Sequence, residues 1–243
     1  MMQSLYTAST GMLGMQTQID TTANNIANVN TIGFKKSRAE FADLMYKVME
    51  YAGTSTSDVT KSPTGIEVGL GSRPTAINKI FSEGSLKQTD NQLDLAITGR
   101  GFFKMELPDG TQVYSRNGAF KVDENGTIVN SDGYRLVPEV VIPPDATNIS
   151  VGTDGTISVV QAGQTQATQI GQITLTNFIN PAGLHSMGDN LFIETDSSGQ
   201  PVEGTPGLDG LGVLRQGFVE LSNVELVVEL TDLITGQIGR AHV

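Results

Sequence analysis

Few residues of this chain have the types and spacing that catalysis requires. The two histidines, His185 and His242, lie far apart, and neither has an acidic or serine neighbour in a triad-like pattern. Both are better explained as lone surface histidines. The chain contains no GxSxG, HExxH or P-loop motif. The sequence therefore predicts no catalytic residue and no enzyme activity.

Two short segments resemble parts of ligand-binding loops. Gly99-Arg100-Gly101 superficially resembles a phosphate loop, but it precedes a predicted strand instead of a helix, so we interpret it as a tight turn. The run DENG at residues 123–126 resembles part of a calcium loop, yet Lys121 stands where the first ligand is required. We therefore predict no metal site and no cofactor.

Composition narrows the possible partners. The chain has 243 residues, with 15 basic and 26 acidic side chains and a net charge of −11, which argues against a nucleic-acid partner because phosphate binding needs a basic surface. It has no cysteine, so there is no disulfide framework. It has no apolar run of membrane-spanning length and no N-terminal leader of the secretory type, so we expect no membrane insertion and export without a cleaved signal peptide.

The first stretch, Gln3 to Phe41, begins with a predicted helix from Gln3 to Asn28. Its small or apolar residues recur with the alternating three-four spacing of a coiled coil, at Leu5, Ala8, Met12, Met15, Ile19, Thr22, Ile26 and Val29. Only Asp20 carries a side-chain charge, whereas a solvated helix usually has a charged face. The pattern favours a helix surrounded by protein on several sides; a neutral helix packed on its own domain is the alternative.

A turn, a short helix and an arm follow. Asn28, Asn30 and Gly33 suit a helix stop and a turn. The residues from Lys35 to Tyr51 have apolar side chains at helical spacing and predict a short helix. The polar, Gly- and Ser-rich run from Ala52 to Gly71 predicts an extended arm or loop.

The sequence pattern in the middle of the chain is typical of antiparallel β structure. Asx-Gly pairs, which are strong hairpin signals, recur between short β-rich runs at Asp109-Gly110, Asn117-Gly118, Asn125-Gly126, Asp132-Gly133 and Asp154-Gly155. They predict a mainly antiparallel barrel or sandwich from about Thr75 to Glu194.

A second Gly- and Pro-rich linker, Ser197 to Gly212, leads to a C-terminal helix with Ser222 or Asn223 as its N-cap. The apolar arc of this helix is wider than one partner helix needs, and comprises Val224, Leu226, Val227, Val228, Leu230, Leu233 and Ile234.

The predicted fold class is α+β, with the N- and C-terminal helices paired as a coiled-coil-like domain and a β barrel or sandwich inserted between them. We expect a terminal helical domain at residues 1–30 and 220–243. A connecting region is expected at residues 31–72 and 197–219, with an extended arm at residues 46–65. The outer β domain is expected at residues 73–196.

Long motifs give the chain a family resemblance. The run ANNIANVNTIGFKKSRAEF, from Ala23 to Phe41, resembles the N-terminal signature of the bacterial flagellar rod and hook proteins. The resemblance continues in order through VGLGSRP, LDLAITGRGFF, NGAFKVDENG, DGYRL, LTNFINPAGL and LRQGFVELSNVELVVEL, and so covers nearly the whole chain. Within the family, the length and the segment after Met45 are most similar to the distal rod proteins, with proximal rod and hook homologues as alternatives.

The resemblance implies a structural subunit of the flagellar basal body. Copies would stack helically into the rod, the drive shaft that passes torque from motor to hook, with the terminal helices lining the export channel and the arm bridging subunits. It implies as partners further copies of the chain, other rod and hook subunits, the surrounding ring proteins and the flagellar export apparatus. The implied location is the basal body, spanning the periplasm.

The residues expected to carry subunit assembly lie on the terminal helices and the first turn. They are Leu5, Met12, Met15, Ile19, Asn24, Asn25, Ile26, Asn28, Asn30, Gly33, Phe34, Val224, Val227, Val228, Leu230 and Ile234. Two other classes stay open: a secreted β-rich adhesin or carbohydrate-binding protein, and an envelope hydrolase. The first would need exposed aromatic clusters, and the second a carboxylate pair or an activated nucleophile in a cleft.

The chain departs from the family near its C-terminus. It reads ITGQIGRAHV from Ile234 to Val243, where members of the family continue with further helical turns. Because Gly236 and Gly239 are poor helix formers, we expect the last helix to end near Thr235. Part of the N-terminal stripe would then lack its partner, so polymerisation would be impaired, or the sequence is a truncated reading.

Overall fold

The chain folds into two compact units that alternate along the sequence. The computed structural model describes residues 2–53, 63–163 and 166–242. The terminal-helix unit comprises Met1–Ala27, Ser37–Lys79 and Glu225–Val243, and the β-rich unit comprises Asn28–Lys36 and Ile80–Val224. A helix at each end and a β-rich part between them confirm the predicted α+β class. No helix within the described residues is long and apolar enough to cross a membrane.

The terminal-helix unit combines two helices with a two-stranded ribbon. Its elements are α1 (Met2–Ala27), β1 (Ser37–Asp43), β2 (Tyr46–Glu50), β3 (Ile66–Gly69), β4 (Ser72–Lys79) and α2 (Leu226–His242). Strand β1 pairs with β4 and β2 with β3, both antiparallel. Two backbone hydrogen bonds, from Leu44 N to Gly71 O at 2.8 Å and from Leu70 N to Met45 O at 3.2 Å, connect the two ladders. The result is one continuous ribbon.

The short helix predicted from Lys35 to Tyr51 is wrong, because this segment forms β1 and β2. Its apolar residues fit a helical period, but strand pairing with residues 66–79 satisfies the same backbone groups and overrides local spacing. The predicted arm at residues 46–65 begins as strand β2. Its central part, residues 54–62, lies outside the described residues.

Helices α1 and α2 pack against each other in antiparallel orientation. A Cβ atom built on Gly236 would lie 3.1 Å from Ile19 Cγ1, and one on Gly239 would lie 3.4 Å from Met15 Sδ. The helix end expected near Thr235 is therefore wrong, since α2 continues to His242. Close approach to α1 at both glycines compensates for their low helix propensity. Whether the pair forms a regular coiled coil stays a prediction.

The β-rich unit contains the other sixteen strands. They are β5 (Leu86–Gln88), β6 (Leu95–Thr98), β7 (Phe102–Glu106), β8 (Gln112–Ser115), β9 (Lys121–Val122), β10 (Ile128–Val129), β11 (Arg135–Val137), β12 (Ala146–Val151), β13 (Thr156–Gln161), β14 (Thr168–Gln172), β15 (Leu175–Asn177), β16 (His185–Gly188), β17 (Leu191–Ile193), β18 (Val202–Gly204), β19 (Val213–Gln216) and β20 (Phe218–Glu220). A 3-10 turn spans Pro181–Gly183.

These strands form open antiparallel sheets. The largest has nine strands in the order β16-β17-β8-β7-β11-β10-β9, with β15 joining β7 to β18. The others are β12-β13-β14, β19-β6 and β20-β5. Across the described residues no sheet closes into a barrel, so the barrel expected from the hairpin pattern is wrong; the sandwich alternative stays a prediction. The short strands limit closure, because each ladder extends over only a few residues.

Four of the five predicted Asx-Gly turns connect paired strands. Gly110, Gly126, Gly133 and Gly155 have φ values of 82°, 82°, 86° and 82° and join β7 to β8, β9 to β10, β10 to β11 and β12 to β13. The fifth, at Asn117-Gly118, has another origin. A Cβ at Gly118 would collide with the backbone of Leu95, so glycine there permits a close approach between chain segments.

The hydrophobic core belongs to the β-rich unit. Among the described residues, all of the buried hydrophobic side chains lie in this unit. The main cluster includes Leu95, Ile97, Phe103, Met105 and Leu214. The terminal-helix unit has no comparable core among its described residues.

Gly33→Ala is expected to destabilise the β-rich unit by about 3 kcal/mol or more. Gly33 has φ +70°, and an added Cβ would lie 2.7 Å from Asn117 N and 2.8 Å from the Arg116 carbonyl carbon. The matched control is Gly110→Ala, where φ is +82° but nothing lies within 4 Å, so only backbone strain of about 1 kcal/mol is expected. Urea unfolding followed by tyrosine fluorescence measures the free energy of unfolding of both variants. Equal losses of stability in Gly33→Ala and Gly110→Ala would contradict the steric explanation.

Candidate assembly interface

Helix α2 exposes most of its large apolar residues, and neither of its buried positions is a large apolar residue. Val227 is 72% exposed and Ile234 is 55% exposed. Leu226, Val228, Leu230 and Ile238 are also exposed. The buried positions of the helix are Glu229 and Gly236. An amphipathic helix on the surface of a protein that stays in water would instead bury its large apolar residues and expose its polar ones.

Helix α1 has the same arrangement at its N-terminal end. Leu5 and Tyr6 are 70% and 76% exposed. Met12 and Leu13 are exposed as well. The buried residues of this helix are small or polar, namely Gly14, Thr21, Thr22 and Asn25. Both helices therefore present apolar surface that their own unit does not cover.

The ribbon adds a third apolar surface. Its exposed apolar side chains are Phe41, Met45, Tyr46, Met49, Tyr51, Ile66, Val68, Leu70 and Ile77. Soluble monomers seldom expose so many large apolar residues in one unit, and such surfaces mark contacts with other proteins. We call the exposed apolar residues of α1, α2 and the ribbon the assembly surface.

Within the terminal-helix unit, the structure separates the predicted assembly residues into two groups. The first group contacts α2. Met15 and Ile19 lie beside Gly239 and Gly236, and Asn25 donates a hydrogen bond to Glu229. The residues on the outside are Leu5, Met12, Asn24, Val227, Val228, Leu230 and Ile234, while Ile26 is half-buried.

The remaining predicted residues belong to the β-rich unit. Asn28 and Asn30 lie in the turn after α1, where Asn28 Oδ1 accepts a hydrogen bond from Thr31 Oγ1 at 3.1 Å. Gly33, Phe34 and Val224 are buried inside this unit. The contribution of each of these residues to assembly stays a prediction.

Asn25 connects three parts of the terminal-helix unit. Its Nδ2 donates to Ser37 O at 2.8 Å, and its Oδ1 accepts from Ser37 N at 2.9 Å, so the amide side chain pairs with the backbone at the start of β1. The same Nδ2 donates to Glu229 Oε2 of α2 at 3.0 Å. Asn25 and Glu229 are both buried. A buried polar contact of this kind fixes the register between two helices, because any shift leaves both groups unpaired.

Asn25→Ala is expected to destabilise the α1–α2 pairing by about 2–4 kcal/mol, because it removes three hydrogen bonds and leaves the buried Glu229 carboxylate without this donor. The control is Gln16→Ala, which removes a single exposed hydrogen bond to Asp20 on the same helix. Hydrogen exchange of α1 and α2 amides gives the local opening energies. Equal exchange in the two variants would show that Asn25 does not determine the register.

Sequence reasoning missed a buried charge network in the β-rich unit. Lys35 Nζ donates to Glu220 Oε1 at 2.5 Å and to Ser82 O at 2.6 Å, with both charged side chains fully buried. Arg116 Nε lies 3.8 Å from Glu220 Oε2. Burial lowers the pKa of Lys35, and the negative charge of Glu220 opposes that shift. The network holds the signature turn, residues 28–36, against strand β20.

Asn223 was predicted as an N-cap of α2, but its side chain binds two other chain segments. Its Oδ1 accepts from Lys36 N at 2.8 Å, and its Nδ2 donates to Ile80 O at 2.8 Å. Ile80 N in turn donates to Lys36 O at 2.9 Å. Lys36, Ile80 and Asn223 lie at or next to the points in the sequence where the chain passes from one unit to the other. An isolated Asn between a strand and a helix gives no sequence signal for such a role.

The residues singled out for chemistry adopt ordinary surface structure. His185 is exposed on β16. Gly99 to Gly101 form the turn between β6 and β7, as predicted. Residues 123–126 form the β9–β10 hairpin, closed by Gly126 N donating to Asp123 O at 2.9 Å. In the part of the chain that the structure describes, no group of three or more His, Asp or Glu side chains could hold a metal ion.

Comparison with known proteins assigns the family. Residues 5–35 match the family model described as flagella basal body rod protein, and residues 96–159 match the D1 domain of the flagellar hook protein FlgE/F/G family. The flagellar basal-body rod protein FlgG of Buchnera aphidicola subsp. Schizaphis graminum is 48% identical over 237 residues, which are 98% of this chain and 91% of the relative. The chain belongs to the FlgG family of flagellar basal-body rod proteins.

Other members of the FlgG family come from distant bacteria. The FlgG protein of Borreliella burgdorferi is 44% identical over 98% of this chain and 90% of its own length. That of Bacillus subtilis is 42% identical over 98% of this chain and 91% of its own length. The predicted resemblance to flagellar rod proteins, and within them to the distal rod protein FlgG, is confirmed. As a FlgG-family member, the chain is a structural subunit of the flagellar basal-body rod.

The family matches fall on the features that the structure singles out. The rod-protein match covers nearly all of α1 and most of the turn that carries Gly33. The D1 match begins in strand β6, covers the β7–β8 hairpin and ends in β13. FlgG-family membership therefore includes both the helix with the exposed apolar end and the core of the β-rich unit.

Proposed function

We propose that copies of this chain stack helically into the distal rod, through the assembly surface. The observation that supports this is the burial pattern of the terminal-helix unit, whose buried residues on the two helices are small, polar or charged while many of its large apolar residues are exposed. Removing an exposed Leu, Ile or Val side chain from water stabilises a contact by about 1.5–3 kcal/mol. With this many such side chains, assembly has an ample driving force.

The contact between copies is open, since one surface of each copy meets a different surface of the next. Such contacts give helical filaments when the rotation does not close a ring. In the tube, α1 and α2 form the inner wall around the export channel, and burial by neighbouring copies explains why α1 carries only one charged side chain, Asp20. The rod transmits torque from motor to hook as a shaft of these subunits.

The residues 46–65 bridge neighbouring copies in this arrangement. Their described flanks, β2 and β3, form the outer end of the ribbon and expose Tyr46, Met49 and Ile66. Among the described residues these side chains lack apolar cover, so a neighbouring copy would cover them. Bridging contacts of this kind would stiffen the shaft.

The proposal also assigns partners and location. The ends of the rod contact other rod and hook subunits, and its sides face the surrounding ring proteins. The chain reaches the periplasm-spanning position through the flagellar export apparatus. Membership of the FlgG family of flagellar basal-body rod proteins supports this assignment.

The experiment is polymerisation of the purified chain. Concentrated protein is incubated with and without basal bodies that lack a distal rod, then sedimented and imaged by negative-stain electron microscopy. We expect tubes with a helical repeat, growing from the basal-body ends above a critical concentration. A chain that stays monomeric at every concentration, and adds nothing to the basal bodies, would contradict the proposal.

A further inference from the structure

Arg116 is a buried guanidinium group with incomplete hydrogen bonding. The residue is 3% exposed, and its Nη2 donates to Gly99 O at 2.7 Å. Its Nε and Nη1 atoms are buried and have no acceptor within the described residues. Glu220 Oε2, at 3.8 Å from Nε, lies beyond hydrogen-bond distance and has no partner there either. Buried donors in native proteins almost always have an acceptor, so these two indicate a missing ligand or water.

A cavity of about 270 Å³ lies beside this guanidinium group, and Arg116 is part of its lining. Its apolar wall consists of Phe81, Phe102 and Phe178. Arg116 also lies over the Phe102 ring, with Cζ 5.7 Å from the ring centroid. The side chain of Ile179, 87% exposed, lines the cavity on the solvent side. The cavity is large enough for a benzoate-sized molecule, and its lining combines the two guanidinium groups of Arg100 and Arg116 with aromatic rings.

The charges around the cavity favour an anion. Lys35 and Arg116 are buried with Glu220 alone between them, which leaves one excess positive charge inside the unit. Arg100 lines the same cavity and adds a second. The exposed Glu83 offsets part of this potential from the surface. The whole chain has a net charge of −11, so its overall charge would repel an anion. The positive potential at the cavity therefore comes from these side chains alone.

We propose that this cavity is a binding site for a carboxylate group carried on an apolar or aromatic body. Arg116 Nη1 is a buried donor with no acceptor among the described residues, and a charge-assisted hydrogen bond from a guanidinium N–H to a carboxylate oxygen is strong. The aromatic wall accepts the body of the ligand. The carboxylate belongs either to a small free acid or to an Asp or Glu side chain of a second copy; only the latter source rests on the proposed function.

Benzoate is the probe, and benzamide, with the same shape and no charge, is its control. Titration of the unassembled full chain is followed by amide chemical shifts of residues 99–102 and 177–181. We expect saturable shifts with benzoate and none with benzamide. Ile179→Glu places a competing negative charge at the exposed wall and should weaken benzoate binding about tenfold or more. The matched variant Ile179→Gln should stay within about twofold of the parent, since it is similar in size and uncharged.

Several results would overturn the proposal. These are no saturable shift with benzoate, equal binding of benzamide, or equal weakening by Ile179→Glu and Ile179→Gln. In each of these cases the cavity does not select a carboxylate. Because binding is measured on the unassembled chain, a failure of polymerisation does not affect the readout.

A second arm identifies the source of the carboxylate. If benzoate binds and also slows filament growth while benzamide does not, the site takes an acidic side chain of a neighbouring copy. If benzoate binds and leaves growth unchanged, the site takes a free carboxylic acid. Both outcomes support the carboxylate site.

Discussion

Replacing Val227 or Ile234 by glutamate is expected to abolish filament formation while the chain stays folded. Both side chains are more than half exposed on α2, so the substitution removes little contact within the unit. Glutamate also has a better helix propensity than valine or isoleucine. In the filament, however, each variant would bury an unpaired carboxylate at a contact that copies of the chain share, and this cost is repeated in every subunit.

The expected size is a rise of the critical concentration by at least about a hundredfold, equivalent to about 3 kcal/mol per contact. Pelleting assays over a concentration series measure it, with far-UV circular dichroism to check the fold. The control is Val141→Glu, which changes a 52% exposed valine on the β-rich unit. It should polymerise within about threefold of the parent chain. Normal polymerisation of the α2 variants would contradict the assignment of α2 to the assembly surface.

The second large effect is expected for Glu220→Gln, which should destabilise the β-rich unit by about 3–5 kcal/mol. Glu220 Oε1 accepts from Lys35 Nζ at 2.5 Å and from Gly84 N at 2.9 Å, inside the protein. Without the carboxylate, the buried charges of Lys35 and Arg116 lose the anion that faces them. Burial already lowers the pKa of both groups, so part of the loss would appear as deprotonation of Lys35.

Denaturant unfolding gives the free energy, and Glu203→Gln is the matched control. Glu203 Oε1 accepts from Lys104 Nζ at 2.6 Å, but its side chain is 44% exposed. Water therefore screens the pair, and a loss below about 1 kcal/mol is expected. The double variant Lys35→Met with Glu220→Leu should lose less than the sum of its single variants, since neither member of the Lys35–Glu220 pair is left without the other, although Arg116 still loses its anion. Equal losses for Glu220→Gln and Glu203→Gln would show that the buried network does not stabilise the fold.

Much of the architecture could be predicted from spacing alone. The three-four repeat gave α1 to within one or two residues, and Asx-Gly pairs located four of the hairpin turns. These signals are local, because helical period and turn geometry depend on neighbouring residues. Family membership was equally accessible, since the signature from Ala23 to Phe41 is long and specific.

Other features depend on contacts between distant segments and left no local signal. Residues 37–50 fit a helical period, and only pairing with residues 66–79 makes them strands. The same holds for the end of α2, where packing of Gly236 against Ile19 overrides propensity. The partners of Lys35 are separated from it by 47 and 185 residues, so no spacing rule could join them.

The candidate assembly residues illustrate both cases. The apolar arc of α2 was visible in the sequence, and Val227, Val228, Leu230 and Ile234 are exposed in the structure. The apolar surface of the ribbon was not visible in the sequence, because its residues were interpreted as a helix and an arm. Which face of α1 meets α2 also required the fold, since the stripe contains both covered and exposed positions.

The most direct test of the central claim is hydroxyl-radical footprinting of the chain before and after polymerisation. It reports the solvent exposure of individual side chains, including Leu5, Tyr6, Val227 and Ile234. Assembly through the terminal-helix unit predicts that labelling of these residues falls at least about tenfold in the filament, whereas Val141 of the β-rich unit keeps its rate. Unchanged labelling on both helices, with protection confined to the β-rich unit, would contradict the account.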